Sequence, residues 1–208
     1  MKISWDNPSL KRGETLIWGH LGGTATGGDP NSWYPDLWTW LIEKFDLRSA
    51  LDVGCGVGYS QKFLQDSGLG TLGLDCLQMK EFHLLKDRFV AHDLTSGPYI
   101  RQDRFDFVWC CEVAEHLEER FSWNIVETVA QNCNKVLAFC AAPPKSDGYH
   151  HVNCQLPLYW RGRIEAAGLK YNEELSNFAH ENFNVKCGRT KEHYFQRSGQ
   201  IFLRTNSN

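Results

Sequence analysis

Apolar and polar residues alternate along the chain in blocks that predict strands and helices in turn. Short, almost continuously apolar runs predict strands buried on both faces, and apolar residues three or four positions apart predict amphipathic helices. The predicted strands are 49–54, 71–76, 88–94, 105–113, 135–144 and 200–205, and the predicted helices are 35–45, 58–68, 115–133 and 158–169. Strands that alternate with helices in this way favour an α/β fold with a parallel sheet covered on both faces.

The first 35 residues show no such periodicity. The stretch 19–35 contains five glycines and two prolines, a composition typical of a loop. Trp18, Trp33 and Tyr34 are costly to expose, so two interpretations stay open: a disordered arm, or a lid over a site. With no internal repeat and no interdomain linker, we predict a single domain over 1–208, with 1–35 as the arm or lid and 36–208 as the catalytic core.

Charge and cysteine usage narrow the class of protein. A formal net charge of −3 over 208 residues gives no positive surface for a phosphate backbone, which makes nucleic acid an unfavoured partner. The eight cysteines include no C-x-x-C pair, and several stand in apolar runs where a free thiol packs as a small hydrophobe. We therefore predict a reduced, cytoplasmic protein. No apolar run approaches the ~20 residues needed to span a bilayer, so no membrane association is predicted.

The first core strand runs into a glycine-rich loop, Asp52-Val53-Gly54-Cys55-Gly56-Val57-Gly58. Glycine at alternate positions lets the backbone turn tightly and lets a ligand approach the main chain. The spacing G-x-G-x-G differs from the G-x-G-x-x-G of dinucleotide folds. A carboxylate at Asp52 would repel a pyrophosphate and would suit a ligand with an ammonium group.

Acidic residues stand at the ends of the next predicted strands. Asp75 closes the second strand, where an acid accepts both hydroxyls of a ribose, and Asp93 closes the third, where it can accept from an adenine amino group. The fourth strand ends at Cys111 and Glu112, at the edge where substrate would meet cofactor. Each acid alone fits a loop end or a helix N-cap, but their succession after such a loop indicates a nucleoside-containing ligand.

The motifs "LDVGCGVGYS", "GLDC", "AHDL" and "FVWCCEVAEHL" resemble, in order and spacing, those of class I S-adenosylmethionine-dependent methyltransferases. The resemblance covers roughly 49–144 and implies S-adenosylmethionine as the cofactor. It also implies a Rossmann-like fold: a seven-stranded, mostly parallel sheet flanked by helices, with an N-terminal loop and helix extension. The one antiparallel strand of that fold would be 200–205.

The resemblance also implies which residues bind the cofactor. The residues implied around the methionine portion of the cofactor are Asp52, Gly54, Cys55, Gly56 and Gly58. Those implied at the ribose and adenine are Asp75, Cys76, Asp93 and Leu94, and those implied beside the transferred methyl are Cys111 and Glu112.

Three histidines are candidates for the catalytic base that an oxygen or nitrogen acceptor requires. His116 resembles a position often occupied by histidine in the family, and helix packing is the alternative for it. His150 and His151 follow the fifth strand, where acceptor-binding residues are usual, and neighbours in an extended chain point to opposite sides. A metal site built from them with Asp147 or Asn153 is therefore less favoured than a base, and no metal is predicted.

The acceptor is narrowed by motifs that are missing. The Asn/Asp-Pro-Pro-aromatic motif of amine-methylating DNA enzymes is replaced by "CCEV", and no Pro-Cys nucleophile is present. We predict O-methylation of a small-molecule or sugar-like acceptor. Two alternatives stay open: a nucleic-acid or protein methyltransferase using Lys145, Arg161, Arg163 and Arg189, and a non-catalytic nucleotide-binding module. The sequence leaves the oligomeric state open.

Overall fold

The computed structural model describes residues 15–17, 23–25, 28–76, 80–183 and 194–205, the first two ranges as backbone only. The strands are β1 (Thr15–Ile17), β2 (Gly23–Ala25), β3 (Ser49–Val53), β4 (Gly70–Asp75), β5 (Phe89–Ala91), β6 (Phe105–Cys111), β7 (Cys133–Cys140), β8 (Leu169–Tyr171) and β9 (Gln200–Arg204). The helices are α1 (Pro35–Phe45), α2 (Tyr59–Asp66), α3 (Ser122–Gln131), α4 (Pro157–Ala166), α5 (Glu173–Asn182) and α6 (Tyr194–Ser198).

Seven strands form one sheet in the order β5-β4-β3-β6-β7-β9-β8. Strand β9 pairs antiparallel with both β7 and β8, and the other pairings are parallel. The predicted α/β fold is confirmed, including its single antiparallel strand at 200–205. Strands β1 and β2 form a separate antiparallel pair.

Alternate residues of the central strands pack into two apolar clusters, one on each face of the sheet. On one face Phe107 and Trp109 meet Trp38 of α1, with the Trp38 and Trp109 rings 5.3 Å apart. On the other face Val108 and Cys110 lie in the cluster that also contains α3 and α4. Both faces of β6 are therefore buried, which explains why the sequence of this strand is an almost unbroken run of apolar residues.

The helix predicted over 115–133 begins only at Ser122. The segment before it folds as a 3-10 turn over Ala114–His116 and is extended at Leu117, whose ψ is 131°. The backbone carbonyl of Glu115 accepts hydrogen bonds from the N–H groups of Val152 and Asn153, both at 3.0 Å. This pairing with a distant loop replaces the helical bonds that local periodicity predicts.

The second half of the chain contains elements that the sequence pattern did not predict. They are β8, α5 and α6, which have three, ten and five residues. Most of the predicted arm or lid, including Trp18, lies outside the described residues. Its described end is folded: Trp33 and Tyr34 are buried, and the Phe195 N–H donates to the Tyr34 hydroxyl oxygen at 2.9 Å.

Candidate functional site

The glycine loop leaves the carboxyl end of β3 in a conformation that only glycine adopts readily. Gly54, Gly56 and Gly58 have φ values of +73°, +53° and +87°. A Cβ added to Gly54 would lie 2.1 Å from Val113 Cγ2, so the loop approaches the β6 edge as closely as a backbone can. The Gly54 N–H donates to the Leu74 carbonyl at 2.8 Å and ties the loop to β4. These contacts therefore hold the loop in place, and its backbone lies at the carboxyl edge of the sheet.

Asp52 lies under this loop and is 2% exposed. Its carboxylate accepts a hydrogen bond from the Ser60 hydroxyl at the start of α2. Burial, with a smaller contribution from the nearby Asp75 carboxylate, raises the pKa of Asp52 from 3.8 to about 7. Among the described residues, no lysine or arginine forms an ion pair with it. Its charge is therefore held next to the loop without an internal counterion.

Asp75 ends β4 beside the same loop. Its two oxygens accept hydrogen bonds from the N–H groups of Gly56 and Cys76, each at 2.7 Å. Burial raises the pKa of Asp75 despite these bonds. The Cys76 side chain also forms a hydrogen bond with this carboxylate, so about one of its four lone-pair positions remains for a ligand.

His83 is a contact of the loop that the sequence reasoning missed. Its Nε2 lies 3.4 Å from Cys55 Sγ, and a Cβ added to Gly58 would come within 2.5 Å of the same nitrogen. The Leu84 N–H donates to the Val57 carbonyl at 3.0 Å, which fastens this segment over the loop. No motif marks His83, since its partners are distant in sequence.

Asp93 and Leu94 follow β5, on the far side of β4. Asp93 Oδ1 accepts from the Thr95 N–H at 2.8 Å and from the Thr95 hydroxyl at 2.7 Å. The Leu94 carbonyl accepts from the Asn124 amide at 2.6 Å. Since β5, β4, β3 and β6 are parallel neighbours, the predicted cofactor residues at their carboxyl ends lie along one edge of the sheet.

A cavity of about 710 Å³ opens at this edge. Its floor is the glycine loop and the end of β6, and its walls are the segment 28–33, the loop 143–151 and two residues of α6. Asp52, Gly54, Cys55, Gly56, Cys111 and Glu112 line it, whereas Gly58, Asp75, Cys76, Asp93 and Leu94 do not. The cavity therefore adjoins the part of the edge predicted for the methionine end of the cofactor.

Glu112 enters the cavity from the end of β6 with a φ of +57°. The Cys140 thiol donates to its Oε1 at 3.3 Å, and Arg197 Nη2 lies 3.5 Å from its Oε2. Burial raises its pKa to about 7, against the lowering effect of Cys140 and Arg197. Burial likewise raises the pKa of the neighbouring Cys111 thiol to about 12, which leaves that thiol protonated.

Glu115, His116 and His151 meet at one wall of the cavity. One ligand atom from each lies within 4.8 Å of the others, and the two imidazole centroids are 4.9 Å apart. Glu115 is fully buried, and neither of its carboxylate oxygens forms a hydrogen bond of normal geometry with a described residue. The sequence analysis did not select Glu115 as a site residue, because Glu115 is the first residue of the helix predicted over 115–133.

The two neighbouring histidines of the 143–151 loop differ in their surroundings. His151 lines the cavity, and its Nδ1 lies 3.4 Å from the Ser146 carbonyl. His150 has a φ of +55°, does not line the cavity, and packs beside Tyr149. Burial is the main cause that lowers the pKa of His151 and brings that of His116 down to about 4. Both rings facing the cavity are therefore neutral at pH 7.

Two of the four basic residues considered for a nucleic-acid groove, Arg161 and Arg163, do not line the cavity. Arg161 lies over the Tyr171 ring at 3.6 Å and Arg163 over the Tyr159 ring at 4.5 Å, both on α4 and away from the cavity. Lys145 lines the cavity, and Arg189 lies outside the described residues. Trp160 is buried in the core.

Residues 51–138 match a protein family described as "Methyltransferase domain". An uncharacterized protein of Methanocaldococcus jannaschii is 27% identical over 100 residues, which are 47% of this chain and 44% of that protein. The match therefore spans less than half of that relative's length. No described helix has both the length and the apolarity that crossing a membrane requires.

Solved structures of similar fold include magnesium protoporphyrin IX methyltransferase from Synechocystis, crystallised with S-adenosylmethionine. It has a TM-score of 0.55 and 18% identity, with 82% of this chain and 77% of that chain covered. DesVI from Streptomyces venezuelae has a TM-score of 0.63 and 12% identity, with coverages of 85% and 92%. The family match covers less than half of this chain, and the two structures, both below 25% identity, show that the chain has the fold that the motifs predict.

Proposed function

We propose that this chain, which contains a methyltransferase domain and has the class I S-adenosylmethionine-dependent methyltransferase fold, transfers a methyl group from S-adenosylmethionine to a small-molecule acceptor. The observation that supports this most directly is the rigid glycine loop, with Asp52 beneath it, opening into a cavity of about 710 Å³. A pocket of that size suits a small ligand, since such pockets measure about 300–1,000 Å³.

The residues at the edge fit the chemical groups of this cofactor. Asp52 has no internal counterion among the described residues, so the ammonium of the methionine portion would stabilise its ionised form. Asp75 keeps a lone pair for a ribose hydroxyl, and Asp93 with Leu94 stands where an adenine edge would be read. Cys111 and Glu112 border the position proposed for the transferred methyl.

S-adenosylmethionine supplies an electrophilic methyl group on a sulfonium, and transfer breaks that C–S bond and leaves S-adenosylhomocysteine. The chain has to align the acceptor, exclude water and relieve the acceptor of its proton. At this end of the cavity stand Glu112, Glu115, His116 and His151. A hydroxyl must lose a proton to become nucleophilic, whereas a neutral amine need not, so the neutral imidazoles of His116 and His151 favour oxygen as the methylated atom.

The walls of the cavity favour a polyhydroxylated, sugar-like acceptor as the finer form of the proposal. Aromatic rings and short polar side chains share the lining, and this combination suits the apolar face and the hydroxyls of a sugar. The lining residues of these two kinds include Trp33, Trp109, Tyr149 and Tyr194, and Asp29, Asn31 and Ser32. A nucleic-acid acceptor is less favoured, because Arg161 and Arg163 of α4 lie against the tyrosine rings described above and do not line the cavity.

Calorimetric titration with S-adenosylmethionine and S-adenosylhomocysteine tests the cofactor half of the proposal. We expect saturable binding that is about 100-fold weaker in Asp75→Ala, because a hydrogen bond to a charged group is lost. Asp66→Ala is the matched control, since Asp66 pairs with Lys62 on the exposed face of α2. The absence of binding by the unaltered chain would end the proposal.

Release of S-adenosylhomocysteine then tests the acceptor half. Hydroxylated small molecules and sugars are compared with RNA and with peptides under the same conditions. Turnover confined to RNA or peptide would overturn the small-acceptor proposal. Cofactor binding without turnover on any of the three classes would favour the binding-module alternative.

A further inference from the structure

We propose that Glu115, His116 and His151 bind a divalent transition-metal ion at the acceptor wall of the cavity. The three side chains come from two segments far apart in sequence, yet their ligand atoms lie within 4.8 Å of one another. All three also line the cavity that adjoins the glycine loop. The position is therefore accessible to a small molecule bound in that cavity.

The strongest observation is the condition of the Glu115 side chain. It is 0% exposed, and neither Oε1 nor Oε2 forms a hydrogen bond of normal geometry with a described residue, although the backbone N–H groups of Glu115 and Ala142 lie near enough to favour its charged form. His116 Nδ1 is buried without such a hydrogen bond in the same region. A buried carboxyl group with unmet hydrogen bonds is costly in either protonation state, and buried acids are normally paired or bound to metal. A cation between these atoms would satisfy both groups at once.

The ligand set indicates the class of metal. Two imidazoles and one carboxylate suit zinc, iron, nickel and similar ions, whereas magnesium and calcium prefer oxygen ligands alone. Three protein ligands also leave coordination positions open, as in catalytic zinc sites. Ligand atoms bound at about 2.0–2.1 Å around a tetrahedral ion lie roughly 3.3 Å apart, so the side chains have to close inward by about 1 Å.

Backbone hydrogen bonds already hold the three proposed metal-binding side chains close to one another. The Glu115 carbonyl accepts from the N–H groups of Val152 and Asn153, which joins the turn bearing Glu115 and His116 to the loop bearing His151. The Ser146 carbonyl lies 3.4 Å from His151 Nδ1, so Nε2 is the nitrogen left for a metal. Metal-bound histidines commonly donate their other N–H to a backbone carbonyl in this way.

Gly148 provides the space that the His151 ring occupies. A Cβ added there would lie 2.1 Å from His151 Nε2 and 2.3 Å from its Cε1. Alanine at this position must therefore displace the ring, although the substitution removes no ligand. This gives a test of the site that leaves all three proposed ligands in the chain.

An ion held at this wall acidifies a hydroxyl that coordinates to it, and the proton passes to solvent. The oxygen then attacks the methyl carbon, and the C–O bond forms as the methyl–sulfur bond of the sulfonium breaks and S-adenosylhomocysteine leaves. In this role His116 and His151 serve as ligands instead of proton acceptors. This catalytic role rests on the proposed methyl transfer, but metal binding itself does not.

The test uses the full chain, freed of metal with a chelator and titrated with ZnCl₂, MnCl₂ and MgCl₂. We expect one equivalent of zinc to bind, with manganese weaker and magnesium not saturating. Glu115→Gln and Gly148→Ala should weaken zinc binding at least tenfold, whereas His150→Asn should retain it, since asparagine tolerates the positive φ of that position. Circular dichroism and thermal unfolding establish that each variant is folded.

Two outcomes overturn the metal site: no stoichiometric zinc binding by the unaltered chain, or equal binding by folded Glu115→Gln. Titration of the same samples with S-adenosylmethionine separates this result from the proposed function. Cofactor binding without zinc binding removes the metal site alone, and zinc binding without cofactor binding removes the proposed function alone. If chelation leaves turnover on a hydroxyl acceptor unchanged, the catalytic role of the ion is wrong.

Discussion

Replacing Asp52 with asparagine is expected to stabilise the cofactor-free protein at neutral and alkaline pH. Asp52 is buried under the glycine loop, and burial raises its pKa from 3.8 to about 7. The folded chain therefore keeps a proton on Asp52 that the unfolded chain releases near pH 4. An asparagine oxygen can still accept the hydrogen bond of the Ser60 hydroxyl, so the substitution removes the charge and keeps the contact.

The sign and size follow from proton linkage. Stability contributed by protonated Asp52 is complete below pH 3.8 and is lost as the pH rises through about 7. A difference of roughly three pKa units corresponds to about 4 kcal/mol, at about 1.36 kcal/mol per unit. This is an upper limit, because the nearby Asp75 also has a raised pKa and shares the protons taken up in this range.

Urea unfolding followed by tryptophan fluorescence, at several pH values from 4 to 8.5, measures the effect. The stability of Asp52→Asn relative to the unaltered chain should rise with pH over this range, by at most about 4 kcal/mol. Asp66→Asn, on the exposed face of α2, should show no such trend. Parallel pH profiles for Asp52→Asn and the unaltered chain would refute the reasoning.

The same residue links stability to the proposed cofactor. A ligand ammonium beside Asp52 favours the ionised carboxylate, so S-adenosylmethionine should stabilise the unaltered chain more at pH 8 than at pH 5.5. Asp52→Asn should lose most of this difference. If both proteins gain equal stability at both pH values, the cation does not lie at Asp52.

Two further substitutions test the backbone and the core that position the site, both by urea unfolding. Gly54→Ala and its control Gly68→Ala both place a side chain at positive φ, which should lower the free energy of unfolding by about 1–2 kcal/mol in each. Only Gly54→Ala brings a Cβ to 2.1 Å from Val113 Cγ2, so its free energy of unfolding should fall by roughly 1–3 kcal/mol more. Equal losses would mean that the loop moves freely away from Val113. Tyr34→Phe leaves the buried Phe195 N–H without its acceptor and should cost about 1–3 kcal/mol, and a smaller loss would mean that water or another group replaces it.

The meeting of the proposed cofactor residues at one edge of the sheet could be predicted from sequence because its signals are local. The glycine loop is a run of consecutive residues, and each acid directly follows its own strand. Parallel pairing then brings Asp52, Asp75 and Asp93 to one edge without further information. The short strand β8 and helix α6 gave no such signal, since three and five residues are too few to show periodicity.

Glu115 shows what could not be predicted. In the sequence it begins a run with helical spacing, and that pattern places a glutamate on the exposed face of a helix. In the structure the N–H groups of Val152 and Asn153 take its carbonyl, and the chain forms a 3-10 turn that buries the side chain. The partners are more than 30 residues away, so only tertiary structure reveals both the burial and the meeting of His116 with His151.

Three of the acids that line the cavity, Asp52, Glu112 and Glu115, differ in the partners that the protein supplies to them. Glu112 has Arg197 at 3.5 Å and the Cys140 thiol at 3.3 Å. Asp52 and Glu115 are more deeply buried, and no lysine or arginine among the described residues forms an ion pair with either of them. The fold can therefore bring an arginine to this cavity where a permanent counterion is needed. The lack of one at Asp52 and at Glu115 favours bound cations at both places, an organic ammonium at the first and a metal ion at the second.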